Sequence, residues 1–302
     1  MISDFEAQPH WQDILQRIAS IREQDDYSAA NIEFIQEQLL SADDRIRAGA
    51  ALTASGCVFY PKTIDLLLEI VENDDNEAIR KASLNSLRLV IHEGVIRNYE
   101  NDSGADTKME FYEEWDELQE ESLHEDYLRV KNLLFTLIQD DLESRTIKEI
   151  GILALSDLGF LSPVREFIQE FIELESESAK IVALQAMGKY PQYWTTELSE
   201  YISTEQPTSL LLEAISSSYS SNSLEIAKKI EKLLEYEDPE ILSYALLTLA
   251  NINQTVNLGE ILQEFSHHPN EKVNQAAHEA LRLFSQKNFD NYMKNELGYE
   301  EP

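Results

Sequence analysis

The residues best suited to chemistry in this 302-residue chain are three His-Glu pairs, His92–Glu93, His124–Glu125 and His278–Glu279. Adjacent imidazole and carboxylate groups offer nitrogen and oxygen ligands to a transition metal. A second candidate is the run Asn73, Asp74, Asp75, Asn76 and Glu77, rich in oxygen donors. It lacks the glycine and the distal glutamate of a calcium loop, so its expected use is helix capping. The single cysteine, Cys57, excludes an intrachain disulfide framework and reads as a small buried hydrophobe beside Val58 and Phe59. The sequence shows no Gly-rich phosphate loop, Cys-Cys metal spacing or nucleophile-elbow motif. Whether the His-Glu pairs meet depends on the elements that carry them.

Those elements are helices of one repeating kind. The stretch 238–253 opens with Asp238 and Pro239, an N-cap and first helical residue. Ile241 anchors its body, with small residues four and seven further on, Ala245 and Thr248. The same register recurs from anchors Ile46, Ile79, Ile147, Ala179, Leu210, Ile241 and Val273. Four on stand Ala50, Ser83, Gly151, Ala183, Ala214, Ala245 and Ala277; seven on stand Thr53, Ser86, Ala154, Ala186, Ser217, Thr248 and Ala280. Positions three apart share a helix face, so each helix carries a low stripe that a neighbour can approach. The residue five on is apolar in every repeat but the last, which has His278. The anchors are spaced 33, 68, 32, 31, 31 and 32 residues apart, a period that signals stacked helix pairs. The expectation is an all-α HEAT/armadillo-like α-α superhelix, a solenoid of about seven helix pairs. Residues 9–22 form an N-terminal cap helix, with Ile14, Ile18 and Ile21 in the repeat register. The 68-residue step marks an acidic insertion at 97–121, after which the array resumes with a helix at 126–139. Asn222 with Glu225 resembles a capping box, and 285–302 reads as a polar, partly helical tail.

The segments 43–52 (DDRIRAGAAL) and 76–87 (NEAIRKASLNSL) resemble the second helix of a HEAT repeat, nearest to the bacterial HEAT-like repeats named after phycobilisome lyases. The resemblance spans roughly 43–284 and implies the fold. It leaves function open, because such proteins include scaffolds, transport receptors, lyases, a metal hydroxylase and DNA-repair enzymes. In the hydroxylase, deoxyhypusine hydroxylase, His-Glu pairs sit early in the second helix, close after the anchor. Here His278 is five beyond its anchor, His92 lies at a helix end and His124 precedes a first helix, so the register does not match. No catalytic, cofactor-binding or metal-ligating residue is assigned.

Charge narrows the partners. Against 24 basic residues stand 57 acidic ones, a net charge of −33. Counterion release cannot drive such a chain onto phosphate backbones, which argues against nucleic acid and anionic membranes as direct partners. The HEAT-like DNA glycosylases need a basic face that this composition does not supply. The charge speaks to solubility, or to a protein partner with a basic surface. The amino-terminal MISDFEAQ has no secretory pattern and no apolar run reaches spanning length, so the expected location is cytoplasmic.

Two surfaces are candidates for that partner. The insertion carries Phe111, Trp115 and Leu118 on one helical face, among acids that include Glu113, Glu114 and Glu117. From Glu100 to Asp126 there are twelve acids and one cation, Lys108. It either docks a basic partner or packs its aromatics onto the array. The second surface is the side of the second helices facing away from the small stripe, expected to line the inner curve: Leu153, Ile181, Gln185, Leu212, Ser216 and Leu247, with Tyr219 close by. It is apolar and hydroxyl-bearing, suited to a peptide or helix, unless neighbouring helices cover it. The functional expectation is a non-enzymatic interaction scaffold, inhibitor or chaperone. The alternative, implied by the repeat resemblance alone, is a phycobilin-lyase-type chromophore lyase or lyase subunit.

Overall fold

The small stripe makes helices pack in pairs, and pairs pack on pairs. The computed structural model describes residues 10–60, 62–100 and 117–297. These divide into two compact units, Met1–Leu158 and Gly159–Pro302. The first unit contains α1 (His10–Gln24), α2 (Ala29–Leu39), α3 (Asp44–Thr53), α4 (Thr63–Asn73), α5 (Glu77–Ile96), α6 (Glu117–Gln139) and α7 (Arg145–Leu155). Helices α2/α3, α4/α5 and α6/α7 pair, while α1, α3, α5 and α7 stack in succession. The cap helix α1 therefore occupies the place of a second helix. The second unit contains α8 (Ser162–Glu173), α9 (Glu177–Met187), α10 (Thr195–Tyr201), α11 (Thr208–Ser217), α12 (Leu224–Lys232), α13 (Pro239–Ile252), α14 (Leu258–Phe265) and α15 (Glu271–Leu297). They pair in the same way, and α9, α11, α13 and α15 form the stack of second helices. No strand occurs among the described residues. The fold is a HEAT/armadillo-like array of α-α repeats.

All seven anchors and all fourteen small positions are buried. The stripe is also a hydrogen-bonding surface. Ser86 Oγ donates to the Ala51 carbonyl at 2.7 Å, and Thr248 Oγ1 donates to the Ile215 carbonyl at 3.4 Å. In both units the residue seven beyond one anchor reaches the residue five beyond the preceding one. The position five on thus faces the next repeat. That explains why six of these residues are buried, while His278 in the last repeat is exposed.

Caps follow local sequence. Asp43, Asn76, Ser144, Ser176 and Asp238 each accept a backbone N–H from the first turn of the following helix. At α12 the expected pairing of Asn222 with Glu225 is replaced: Ser223 is the N-cap, accepting from Ile226 N, and Glu225 accepts from Ser199 Oγ of α10. Helix α6 begins at Glu117 rather than at 126. No helix breaker lies between these points, and Leu123, Tyr127, Val130 and Leu134 form one buried stripe at helical spacing. His124 therefore sits inside the helix rather than before it. Helix α15 runs on to Leu297 through much of the expected tail. No described helix is long and apolar enough to cross a membrane.

Candidate protein-interaction face

The parallel register of the second helices decides what each face presents. In the second unit, Ser209 pairs with Glu177, Lys272 with Glu240, Gln185 with Glu213 and Asn251 with the Tyr219 carbonyl. Each bond links a helix to the next one in the stack at a similar height. One face of that stack reaches solvent. Ile181, Leu212 and Leu247 are half-buried, and Gln185, Ser216 and Tyr219 are exposed. Tyr244, on the same helix as Leu247, is also exposed. Neighbouring helices cover Ile181, Leu212 and Leu247 in part. Gln185 Nε2 donates to Glu213 Oε2 at 3.0 Å, which fixes two polar members of the face. In the first unit Leu153 of α7 is half-buried.

Of the insertion candidates, Phe111, Glu113, Glu114 and Trp115 lie outside the described residues, and Glu117 and Leu118 belong to the first turn of α6. The chain leading into that segment is clasped. Tyr127, fully buried in α6, donates its hydroxyl to Glu100, and Lys131 Nζ bonds the same carboxylate. Burial and the Glu100 carboxylate together push the Tyr127 hydroxyl pKa up, so it remains a donor. Its ring packs beside Tyr99, 5.5 Å between centroids, and Tyr99 lies tilted against His124 at 4.6 Å. A Cβ on Gly94 would stand 2.2 Å from that ring, so only glycine permits this approach.

The remaining chemical candidates have structural roles. His92 Nδ1 lies 3.2 Å from Asp157 Oδ2, tying α5 to the turn after α7. His278 is exposed on α15. Among the described residues no three His, Cys, Asp or Glu side chains cluster as metal ligands would. Asp74 Oδ1 accepts from Asn76 N at 2.8 Å and Asn76 Oδ1 accepts from Ala78 N at 3.0 Å, so the acidic turn caps α5. Cys57 is buried and its pKa is pushed up to about 11 by desolvation, leaving an unreactive thiol.

Sequence reasoning did not reach the ties between pairs in the first unit. Arg47, one beyond its anchor, donates to the Ser41 carbonyl at 2.8 Å and pairs with Asp74 at 2.8 Å. Arg80 donates to the Val71 carbonyl at 2.7 Å and pairs with Glu143. Each guanidinium closes the end of its own pair and grips the next. The signal was present as Ile-Arg at both anchors.

No protein-family model matches the sequence, and no curated protein matches it. Solved structures do. The complex of CpcE and CpcF of phycocyanin lyase from Nostoc sp. PCC7120 is 16% identical, covering 86% of this chain and 98% of that one, with a TM-score of 0.39. A designed armadillo repeat protein is 17% identical, covering 83% of this chain and 98% of that one, with a TM-score of 0.31. An engineered protein is 13% identical, covering 85% and 97%, with a TM-score of 0.34.

Proposed function

We propose that this chain is a non-enzymatic interaction module for a protein partner bearing a basic surface. The observation that supports it is the open face of the second helices in the second unit. Ile181 and Leu212 stand there two residues beyond their anchors and Leu247 one turn further along α13, with hydroxyl and amide groups between them. Such a face offers apolar anchors and polar specificity to a helix or extended peptide. The chain's acidic excess steers a cationic partner toward it and raises the association rate. The acidic segment around Phe111 and Trp115 is a second contact in this reading.

The test is affinity capture from the native host at low and high salt, with three proteins: the intact chain, Leu212→Asp/Leu247→Asp, and a chain whose residues 101–116 are a Gly/Ser linker. A basic protein released by salt and lost with the double substitution supports the face. Loss only with the linker moves the contact to the acidic segment. Capture that no substitution changes removes both. The chromophore-lyase alternative has its own assay, an absorbance shift on mixing with a linear tetrapyrrole; an unchanged spectrum removes it.

A further inference from the structure

The three helices that carry the open face of the second unit hold few charges. In α9, α11 and α13 the only acidic or basic residues are Glu177, Lys180, Glu213 and Glu240. Glu177 and Glu240 lie in first turns, where a helix N-terminus favours a carboxylate. Glu177 also accepts from Ser209 Oγ, and Glu240 pairs with Lys272. On α15, Glu279 pairs with Arg282. Glu213 differs from all of these. It stands in the body of α11, beside Leu212. Its bonds come from two neutral donors: Gln185 Nε2 donates to Oε2 at 3.0 Å and Ser217 Oγ to Oε1 at 3.3 Å. Among the described residues no lysine or arginine pairs with it, Lys180 included.

Glu213 is half-buried, reachable from solvent yet partly withdrawn from it. A charge pair formed there is screened less than one on an open surface. The carboxylate is also held in place. Ser217, one turn further along the same helix, is buried, and Gln185 reaches across from α9. Each oxygen accepts one bond and keeps one acceptor position. Two such positions on one carboxylate suit the fork of a guanidinium, which donates two parallel N–H bonds. The apolar members of the face, Ile181, Leu212 and Leu247, lie on the same three helices. Tyr244 is exposed on α13 at the register that Glu213 occupies in α11, three beyond the anchor. Its ring adds contact area with a polar end.

We infer that Glu213 is the specificity-determining residue of this face and receives one arginine of a docked protein segment whose neighbouring residues are apolar. The inference rests on the interaction face proposed above and names what that face reads. Charge selects the occupant. An apolar segment without a cation would bury the Glu213 carboxylate unpaired, which is unfavourable. An acidic segment would set like charges against each other. A polybasic run would meet a single carboxylate in the body of these three helices. Arginine is preferred to lysine because only a guanidinium engages both oxygens at once.

The experiment selects a displayed library of random peptides on the full chain and on Glu213→Gln, Glu213→Lys and Leu212→Asp/Leu247→Asp. Circular dichroism melts establish that each variant is folded. The intact chain should enrich peptides with one arginine among apolar residues. Such a peptide, synthesised, should bind Glu213→Gln about tenfold more weakly. Glu213→Lys should enrich aspartate or glutamate in place of the arginine. Both substitutions leave the bulk acidity nearly intact, so general attraction alone predicts no change in enrichment. Unchanged basic enrichment on Glu213→Lys therefore overturns the inference, as do peptides without a cation on the intact chain. If Leu212→Asp/Leu247→Asp abolishes binding and neither Glu213 variant alters it, the inference fails and the face stands. Binding that ignores the double substitution, or no enrichment by the intact chain, removes the face and the inference with it.

Discussion

One position shows how differently the two units hold together. One residue beyond the anchor, the first unit places Arg47 and Arg80, each capping a carbonyl of its own pair and gripping an acid of the next turn. The second unit places Leu211 and Leu242 there, both 2% exposed. In these two repeats of each unit the junction is closed by a guanidinium or by apolar burial, while Asn274 of the last repeat bonds the Ser266 carbonyl of its own pair. Burial needs no geometry beyond fit. The ionic version is directional and leaves Glu143 buried if its partner is removed. The inter-pair turns show a parallel contrast. In the first unit they include Asp25, Asp26 and the exit at Glu100 toward the acidic segment; in the second they hold no acid.

The largest effect that sharpens this comparison is expected at glycines. Gly94→Ala would drive a methyl into the Tyr127 ring, which Glu100 holds in place. We expect a loss of about 3 kcal/mol in denaturant unfolding. Gly188→Ala in the second unit meets the Ser217 backbone at 3.0 Å and should cost about 1 kcal/mol. Similar costs for the two would show that the clasp is not rigid.

Next is the junction itself. Arg80→Met strands the Glu143 carboxylate and should cost about 3 kcal/mol. Leu242→Ala opens a cavity and should cost about 2–3 kcal/mol. The pairs differ in what rescues them: Glu143→Gln should recover part of the Arg80→Met loss in a double-mutant cycle. An additive cycle would break the ionic reading.

Acid should then separate the units. Burial works to raise the Asp74 carboxyl, but the Arg47 guanidinium and the Asn76 backbone N–H outweigh it, so its pKa is lowered. A lowered folded pKa gives stability that is present above the ordinary aspartate value, about 4, and is lost as pH falls through the folded value. Arg47→Met should flatten the decline in stability below about pH 4. Leu211→Met, at the same register of the second unit, should leave its slope unchanged. Thermal melts from pH 2 to 7 distinguish these outcomes.

The smallest effect concerns the stripe hydroxyls. Ser86→Ala leaves the Ala51 carbonyl unpaired and should cost about 1–2 kcal/mol. Thr248→Val removes a longer bond and should cost less. Ser83 Oγ, by contrast, is buried without a partner. Ser83→Ala should raise stability by up to about 1 kcal/mol; a loss instead would mean that this hydroxyl is paired.

The repeat register was readable because it is local. Residues three and four apart share a helix face whatever lies beyond it, so the anchors and small positions could be named from the sequence and all are buried. The open face was half-legible: its residues were named from register, but their exposure was not. Helix limits failed where local signals were weak. Helix α6 starts at Glu117, nine residues before the expected start, and Ser223 is the N-cap of α12 while the Glu225 carboxylate turns to Ser199 of a neighbouring helix.

By itself, then, the sequence determined that helix pairs form, how often they recur, and which side of each second helix is thin enough to be covered. Tertiary structure alone decided the rest. It put Arg47 against Asp74, 27 residues on, and Arg80 against Glu143, 63 residues on. Periodicity fixes which way a side chain leaves its own helix; which distant group it meets depends on the register between helices, set only when the stripes pack.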